Sequence, residues 1–231
     1  MKKVRAFDIV TIFSEMIGGY ANTSILGRAQ ENGLIKITAH NLRDWTTDKH
    51  RSTDDSSYGG GPGMVMMVEP FDLAVKAIKK GKKARVILTS ASGKIFTQAD
   101  AKRLAKYDQI IFLCGRYEGV DARVEEKIAD EAFSIGGYVL TGGELPALVM
   151  TDAIARHVPG VLGKRESLAE ESHTKEGLLE YPQYTKPPLY VSLSKVGSRG
   201  LSKPWLVPEV LLSGDHAKIA EWRKAHQKKI E

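Results

Sequence analysis

Short apolar runs alternate with amphipathic stretches through the first two thirds of the chain. Val4–Phe13 is rich in apolar residues and reads as a buried strand. Ser14 stands where an N-cap belongs, with Glu15 in the first turn, so a helix is expected toward Gln30. Gly18-Gly19 inside it marks a break or a delayed start. Asn32-Gly33 is a turn signal, and Leu34–Ala39 is a second strand. From His40 to Gly63 the apolar rhythm stops, and so long a polar loop in a compact domain suggests function or mobility. Glu69–Lys80 is a helix with Pro70 in its first turn, stopped by Gly81. Ala84–Thr89 is a third strand, and Ser90–Gly93 a tight polar loop after it. Thr97 caps a helix over Gln98–Lys106, and Gln109–Cys114 is a continuous apolar run, as a strand covered on both faces requires. A short helix at Asp121–Asp130, a fifth strand opening at Ala132 and a helix over Leu145–His157 complete the series.

Strands alternating with helices predict an α/β domain with a mostly parallel sheet, from residue 1 to about 160. Beyond Gly160 the composition changes. Residues 161–180 form a charged loop or linker, and Tyr181–Pro208, with five of the nine prolines and no periodicity, also reads as a linker. Asp215–Lys229 is a basic amphipathic helix carrying Ile219, Trp222 and His226 at helical spacing, so residues 181–231 read as a small helical C-terminal domain.

Composition adds a partner and a compartment. Of the 231 residues, 42% are hydrophobic and 27% charged, which suits a globular chain with a sizeable core. No apolar run approaches the ~20 residues of a membrane span, and the N-terminus carries no signal-peptide pattern. The single cysteine, Cys114, excludes an internal disulfide framework and a cysteine-built zinc site, and together these features favour the cytoplasm. The net charge of +6 is a weak pointer to a polyanion. Basic residues cluster at Lys76–Arg85 and Arg223–Lys229, where solvated helix ends are the plain alternative.

The candidate chemistry gathers around glycine. Tyr58-Gly-Gly-Gly-Pro-Gly63, Cys114-Gly-Arg-Tyr-Glu-Gly119 and Ser134-Ile-Gly-Gly-Tyr-Val-Leu-Thr-Gly-Gly-Glu-Leu-Pro146 contain backbone able to approach another group closely. Three loops, at Ser90–Gly93, Gly115–Gly119 and Gly136–Gly143, follow buried strands, and ligands of open parallel sheets bind beyond the strands' carboxyl ends. None of the loops is a dinucleotide fingerprint or a Walker A sequence, so a phosphate cradle is disfavoured. Neutral backbone donors beside Ile135, Val139 and Leu140 better suit a nucleoside. Arg156 ends a helix, Glu166, Glu170, Glu171 and Glu176 make an acidic segment, and His173 is a possible base near neutral pH. The carboxylates show no metal-ligand spacing.

Six stretches, in order, resemble the bacterial tRNA (guanine-N1)-methyltransferases of the TrmD type. They are Tyr58–Met64, Cys114–Gly119, Ser134–Pro146, Pro159–Gly163, Glu176–Leu179 and Leu211–His216. The resemblance implies the SPOUT fold, an α/β domain whose C-terminal part forms a deep trefoil knot, a feature that general topology rules would not suggest. It implies bound S-adenosyl-L-methionine, held by Ser90, Gly93, Gly115, Tyr117, Glu118, Ile135, Gly136, Gly137, Tyr138, Val139, Leu140, Gly142, Gly143 and Pro146. It implies a homodimer with the active site at the interface, a C-terminal domain gripping the tRNA anticodon arm, and no membrane. The product would be tRNA methylated at N1 of guanine 37, just 3′ of the anticodon, where another guanine precedes it. Members are helped by a divalent cation such as Mg2+, with Glu118 at the position of one suggested ligand.

Guanine N1 is protonated at neutral pH, so a base must remove that proton while a cation balances the charge on O6. Arg156 matches the family's arginine for O6. Glu170-Glu171-Ser172 stands where the family usually has Glu-Asp-Ser, so the base is Glu171, one methylene longer, or its neighbour His173. The C-terminal region departs further, with extra residues between Tyr184 and Pro208 and an end soon after Trp222-Arg223, so a shortened tRNA-binding domain is expected. Lys218, Arg223, Lys224, Lys228 and Lys229 remain to meet phosphates. The alternatives are a SPOUT methyltransferase with another RNA target and a non-catalytic knotted RNA-binding protein.

Overall fold

The computed structural model describes residues 4–163, 171–173, 177–192 and 203–229. Glu166, Glu170, Glu176 and most of the charged segment 161–176, whose order without tRNA the sequence left open, lie outside them. The chain divides into two compact units, Met1–Gly163 and Lys164–Glu231.

The first unit is built on a five-stranded sheet. Its strands are β1 (Arg5–Thr11), β2 (Ile35–Asn41), β5 (Ala84–Ile95), β6 (Gln109–Cys114) and β7 (Glu131–Ser134), in the order β2-β1-β6-β5-β7. Every pairing in it is parallel, as the alternation of strands and helices predicts. Two apolar cores cover its faces. Phe7, Ile9, Ile87, Phe112 and Phe133 meet helices α1 (Glu15–Ala21), α2 (Ser24–Glu31), α4 (Gln98–Leu104) and α5 (Glu144–Ala155) on one side. Val10, Val86, Ile111 and Leu113 meet α3 (Val68–Ile78) on the other. β6 is central and buried along its whole length, which explains its unbroken apolar sequence. In α3, Phe71, Ala74, Val75 and Ile78 are buried at helical spacing. In α4, Thr97 and Asp100 form the reciprocal capping box that holds the helix start.

Four local expectations change. The first helix breaks at Asn22-Thr23, not at Gly18-Gly19, and α2 begins with Ser24 at φ +51°. Gly27 makes that corner possible, since a Cβ there would lie 2.6 Å from the Asn22 carbonyl oxygen. The polar loop after His40 is partly ordered by a 3-10 turn at Leu42–Trp45 and a short antiparallel pair, β3 (Asp54–Asp55) with β4 (Val65–Met66). Ser90–Gly93 does not end its strand: β5 pairs with β7 through Thr89 and again through Lys94, both against Phe133, so these four residues bulge out of a continuous strand. The helix expected at Asp121–Asp130 contracts to a π-helical turn, Val124–Ile128.

In the second unit β8 (Leu178–Leu179) pairs with β11 (Lys228–Lys229), and β9 (Leu189–Tyr190) with β10 (Trp205–Leu206). The segment 181–208 is therefore more than a linker. Helices α6 (Glu209–Leu212) and α7 (His216–Ala225) follow, and the Asp215 carboxylate caps α7 by accepting from the backbone of Ala217 and Lys218 at 3.1 and 3.2 Å. The helix ends at Ala225, so Lys228 and Lys229 sit on a strand.

Candidate active-site cleft

The bulge of β5 lies between the neighbouring strands β6 and β7, and with the loops leaving their carboxyl ends it encloses a cleft of about 460 Å³. Of the residues singled out in the sequence, Ser90, Gly115, Tyr117, Glu118, Ile135, Tyr138, Val139, Leu140, Gly142, Gly143 and Pro146 line it. Gly93, Gly136 and Gly137 do not. Gly93 serves packing instead, because a Cβ there would lie 2.7 Å from the β7 backbone at Ala132 and Phe133. The same holds at Gly143, where a Cβ would fall 1.9 Å from Thr89 Oγ1, 2.9 Å from Cys114 Cα and 3.0 Å from the Gly115 nitrogen. The second glycine pair thus lets the head of α5 press against β5 and β6, and this contact closes the cleft floor. Tyr117 stands at φ +60°, a costly conformation for a tyrosine, held by its surroundings at the cleft wall.

A buried ion pair that sequence reasoning missed ties the loops together. Glu144, only 1% exposed, begins α5. Its carboxylate accepts from Arg116 Nε at 3.0 and 3.1 Å and from Thr11 Oγ1 at 2.5 Å. Arg116 also donates to the Thr141 carbonyl at 3.3 Å and lies 4.6 Å from the Phe13 ring centre. Thr11 ends β1, Arg116 follows β6 and Thr141 precedes α5, so one guanidinium joins three segments around the floor. The only sequence signal for the pair was Arg116 inside its glycine motif. Glu144 passes as an ordinary acid in a first helical turn.

Gly63, at the end of the stretch Tyr58–Gly63, and Met64–Met66 after it pack against the loop that follows β6. Glu118 donates its backbone N–H to the Met64 carbonyl at 3.1 Å, Met66 to Gly119 at 2.9 Å, and Asp121 to Met66 at 2.9 Å. Gly63, at φ +80°, lies under the Glu118 side chain, where a Cβ would meet Cγ at 2.4 Å.

The charge of the cleft follows from these pairings. Among the described residues the one cation in its lining, Arg116, is neutralised by Glu144, while Glu118 and Glu125 have no ion pair. Burial, and then the negative charge of Glu144, push the Cys114 thiol well above its ordinary range, so it stays protonated and unreactive behind the floor. Arg156 caps the C-terminus of α5, whose first turn builds that floor. In the second unit, Ser172 Oγ accepts from the Glu180 backbone at 2.9 Å and His173 donates its backbone N–H to Leu178 at 2.7 Å. This places Glu171 beside β8, partly exposed. Among the described residues no group of three or more His, Cys, Asp or Glu side chains is gathered to hold a metal, and no helix is long and apolar enough to cross a membrane.

A glycine-walled cleft at the carboxyl ends of adjacent parallel strands, within the usual size range for small organic ligands, places the protein among the α/β enzymes that bind ligands there. The particular family is given by comparison: the family model for tRNA (guanine-1)-methyltransferase TrmD matches residues 5–230, and the chain belongs to that family. It is 54% identical to the tRNA (guanine-N(1)-)-methyltransferase of Thermomicrobium roseum over 220 residues, covering 94% of this chain and 77% of that one. It is 50% identical to the protein of that name from Ruminiclostridium cellulolyticum, over 94% of this chain and 88% of the relative. The Geobacter sulfurreducens protein is also 50% identical, over 97% and 86%.

Proposed function

We propose that this TrmD-family methyltransferase uses S-adenosyl-L-methionine to methylate N1 of guanine 37 in tRNAs where a guanine precedes it. The observation that carries the donor assignment is the charge of the cleft. Its guanidinium is neutralised by Glu144, and among the described residues its lining holds no second cation to answer a phosphate. Glu118 and Glu125 suit a ligand that carries a cationic sulfonium. Bound there, the donor supplies an electrophilic methyl group; the SPOUT knot expected of the family would shape the same loops around it. Glu118 is also the carboxylate that would hold a Mg2+ ion, whose charge would aid the reaction.

The chain's own residues supply the proton and charge chemistry. Glu171 accepts the N1 proton, which turns the ring nitrogen into a nucleophile. Arg156 balances the charge that develops on O6. Glu171 is preferred to His173 because a carboxylate is conserved in kind by the Asp-to-Glu exchange, while His173 is turned to φ +64° with its backbone bonded to β8. Their meeting is assigned to a homodimer interface. In support, α1 and α5 leave Met16 and Tyr20 beside Leu145 and Val149 exposed, next to Phe13, an apolar surface suited to a second copy. The enzyme would act in the cytoplasm, with the second unit on the anticodon arm.

The test is transfer of labelled methyl from S-adenosyl-L-methionine to tRNA transcripts carrying guanine 37, and to transcripts lacking it or the guanine before it. Transfer only to the first supports the reading, and transfer to all three overturns the target. Glu171→Gln should abolish transfer with donor affinity unchanged. An inactive His173→Ala beside an active Glu171→Gln would reassign the base.

A further inference from the structure

A second cavity, of about 630 Å³, lies on the α3 face at the far end of the sheet. Its floor is a polar network. Asp8, 8% exposed, receives His40 Nε2 at 2.7 Å on one oxygen and Gln109 Nε2 at 2.7 Å on the other. Trp45 forms a wall, its ring 5.9 Å from that of His40. The rim is Lys36, Lys80, Lys82 and Lys83. In the same basic run Lys76 is paired with Asp72 and Lys79 with Asp130, but the four rim lysines have no ion pair among the described residues. Their backbone is nonetheless fixed. The Lys80 N–H donates to Gln109 Oε1 at 2.7 Å, and the Lys83 carbonyl accepts from Asp108 at 2.9 Å and Gln109 at 3.3 Å. Gly81, at φ +72°, makes the tight turn between them.

We infer that this groove is a second contact for the tRNA substrate, in which an unpaired base enters against Trp45 and its flanking phosphates meet the four lysines. Charge and shape select the occupant. The lysines answer a chain of phosphates, the indole offers a stacking face, and the Asp8–His40 floor receives a base edge, since a phosphate there would face a carboxylate. Gln109 and Gly115 stand at opposite ends of β6, six residues apart, or roughly 20 Å at ~3.3 Å per residue. Because β6 is buried, that is the shortest separation and not the path of an RNA; at least about six stacked nucleotides, at ~3.4 Å each, are needed to cover it, a length that a tRNA exceeds, so one RNA can place a base in the cleft and another in the groove.

The inference rests on tRNA being the substrate, and the experiment separates the two. tRNA affinity against salt and steady-state methylation are measured for the wild type, Lys80→Ser/Lys82→Ser/Lys83→Ser, a charge-matched control Lys102→Ser/Lys106→Ser/Lys127→Ser, and Trp45→Leu. Loss of three single-strand phosphate contacts lowers the slope of log K against log salt by about 2. The groove variant should show that drop and a KM for tRNA about tenfold higher, with kcat and the KM for the methyl donor unchanged. The control should keep the wild-type slope. Trp45→Leu should weaken tRNA binding about fivefold or more, with a thermal midpoint near that of the wild type. An unchanged slope in the groove variant, or an equal drop in the control, overturns the inference alone. A wild type that neither binds nor methylates tRNA overturns the functional reading with it. Guanosine monophosphate binding that the groove variant loses, beside an unchanged tRNA slope, would make the groove a small-anion site and refute the RNA contact.

Discussion

Replacing Glu144 by alanine tests whether the cleft floor depends on one buried pair. The substitution leaves Arg116, 16% exposed, without its carboxylate, and Thr11 without its acceptor. Breaking a buried ion pair from one side costs about 3–5 kcal/mol, because the remaining charge stays desolvated. At ~2–4 °C per kcal/mol for a chain of this size, the thermal midpoint should fall by roughly 6–20 °C. Removing both charges, as Glu144→Leu with Arg116→Met, leaves no stranded ion and should recover at least about 2 kcal/mol relative to Glu144→Ala. Urea unfolding of Glu144→Leu, of Arg116→Met and of the pair gives the cycle. Because Arg116 also holds the Thr141 carbonyl, the loops after β6 and before α5 loosen together, so S-adenosyl-L-methionine affinity, read by calorimetry, should fall about tenfold or more. A cost below about 1 kcal/mol for Glu144→Ala, or a double variant that equals the sum of the singles, would refute the argument that desolvated charge governs this site.

Three further outcomes follow from the same physics. Gly93→Ala drives a Cβ into the β7 backbone at 2.7 Å; overpacking of this kind costs about 1–3 kcal/mol, and donor binding should weaken because the displaced bulge carries Ser90, whereas an unchanged urea midpoint would show that the bulge yields freely. Burial raises the carboxyls of Asp100 and Glu131, but hydrogen bonds from Thr97, Arg103 and Lys94 to the first, and from Arg103 and Arg85 to the second, more than offset it, so both lie below their ordinary 3.8 and 4.5. A depressed folded value means their stabilisation is whole above about pH 5 and is lost as pH falls below those ordinary values; Glu131→Gln should flatten the acid limb of a midpoint-against-pH curve, and an unaltered limb would count against the pairing. Cys114 should resist a thiol reagent at pH 8 in the native protein and react at the unfolding rate, while full reaction within seconds would contradict its burial.

The sheet was legible in the sequence because its strands are short apolar runs between polar helices, and burial on both faces leaves no alternation to misread in Gln109–Cys114. What could not be read was long-range. The strand order, with β6 inserted between β1 and β5, leaves no local mark. Neither does the bulge at Ser90–Gly93, whose polar residues look like any strand end until Lys94 pairs again with Phe133. The break at Asn22-Thr23 escaped because Gly18-Gly19 is the more conspicuous breaker, yet helix α1 runs through both glycines. The cleft loops were found from their glycines alone, whereas the Arg116–Glu144 pair joins positions 28 residues apart and has no local signature.

Those glycines also have a second physical reason. Read along the chain, two Gly-Gly pairs suggest either backbone bared for a ligand or a tightly packed connector. Gly143 lines the cleft and also packs on Thr89 and Cys114, and Gly93 packs on β7. The cleft exists because protein backbone approaches protein backbone so closely that α5 starts directly on the strand ends. Only then can Glu144 reach Arg116, the one cation of the lining among the described residues, and leave Glu118 and Glu125 to set its sign. A phosphate cradle is disfavoured in the sequence by a missing fingerprint, and the fold adds a second argument: helix packing permitted by glycine places Glu144 against the cleft's arginine. The cationic donor proposed for this cleft would then depend on the same contact as the stability of the floor, and variants that separate the two should not be found at Gly142 or Gly143, where a Cβ would strike the pair or its support.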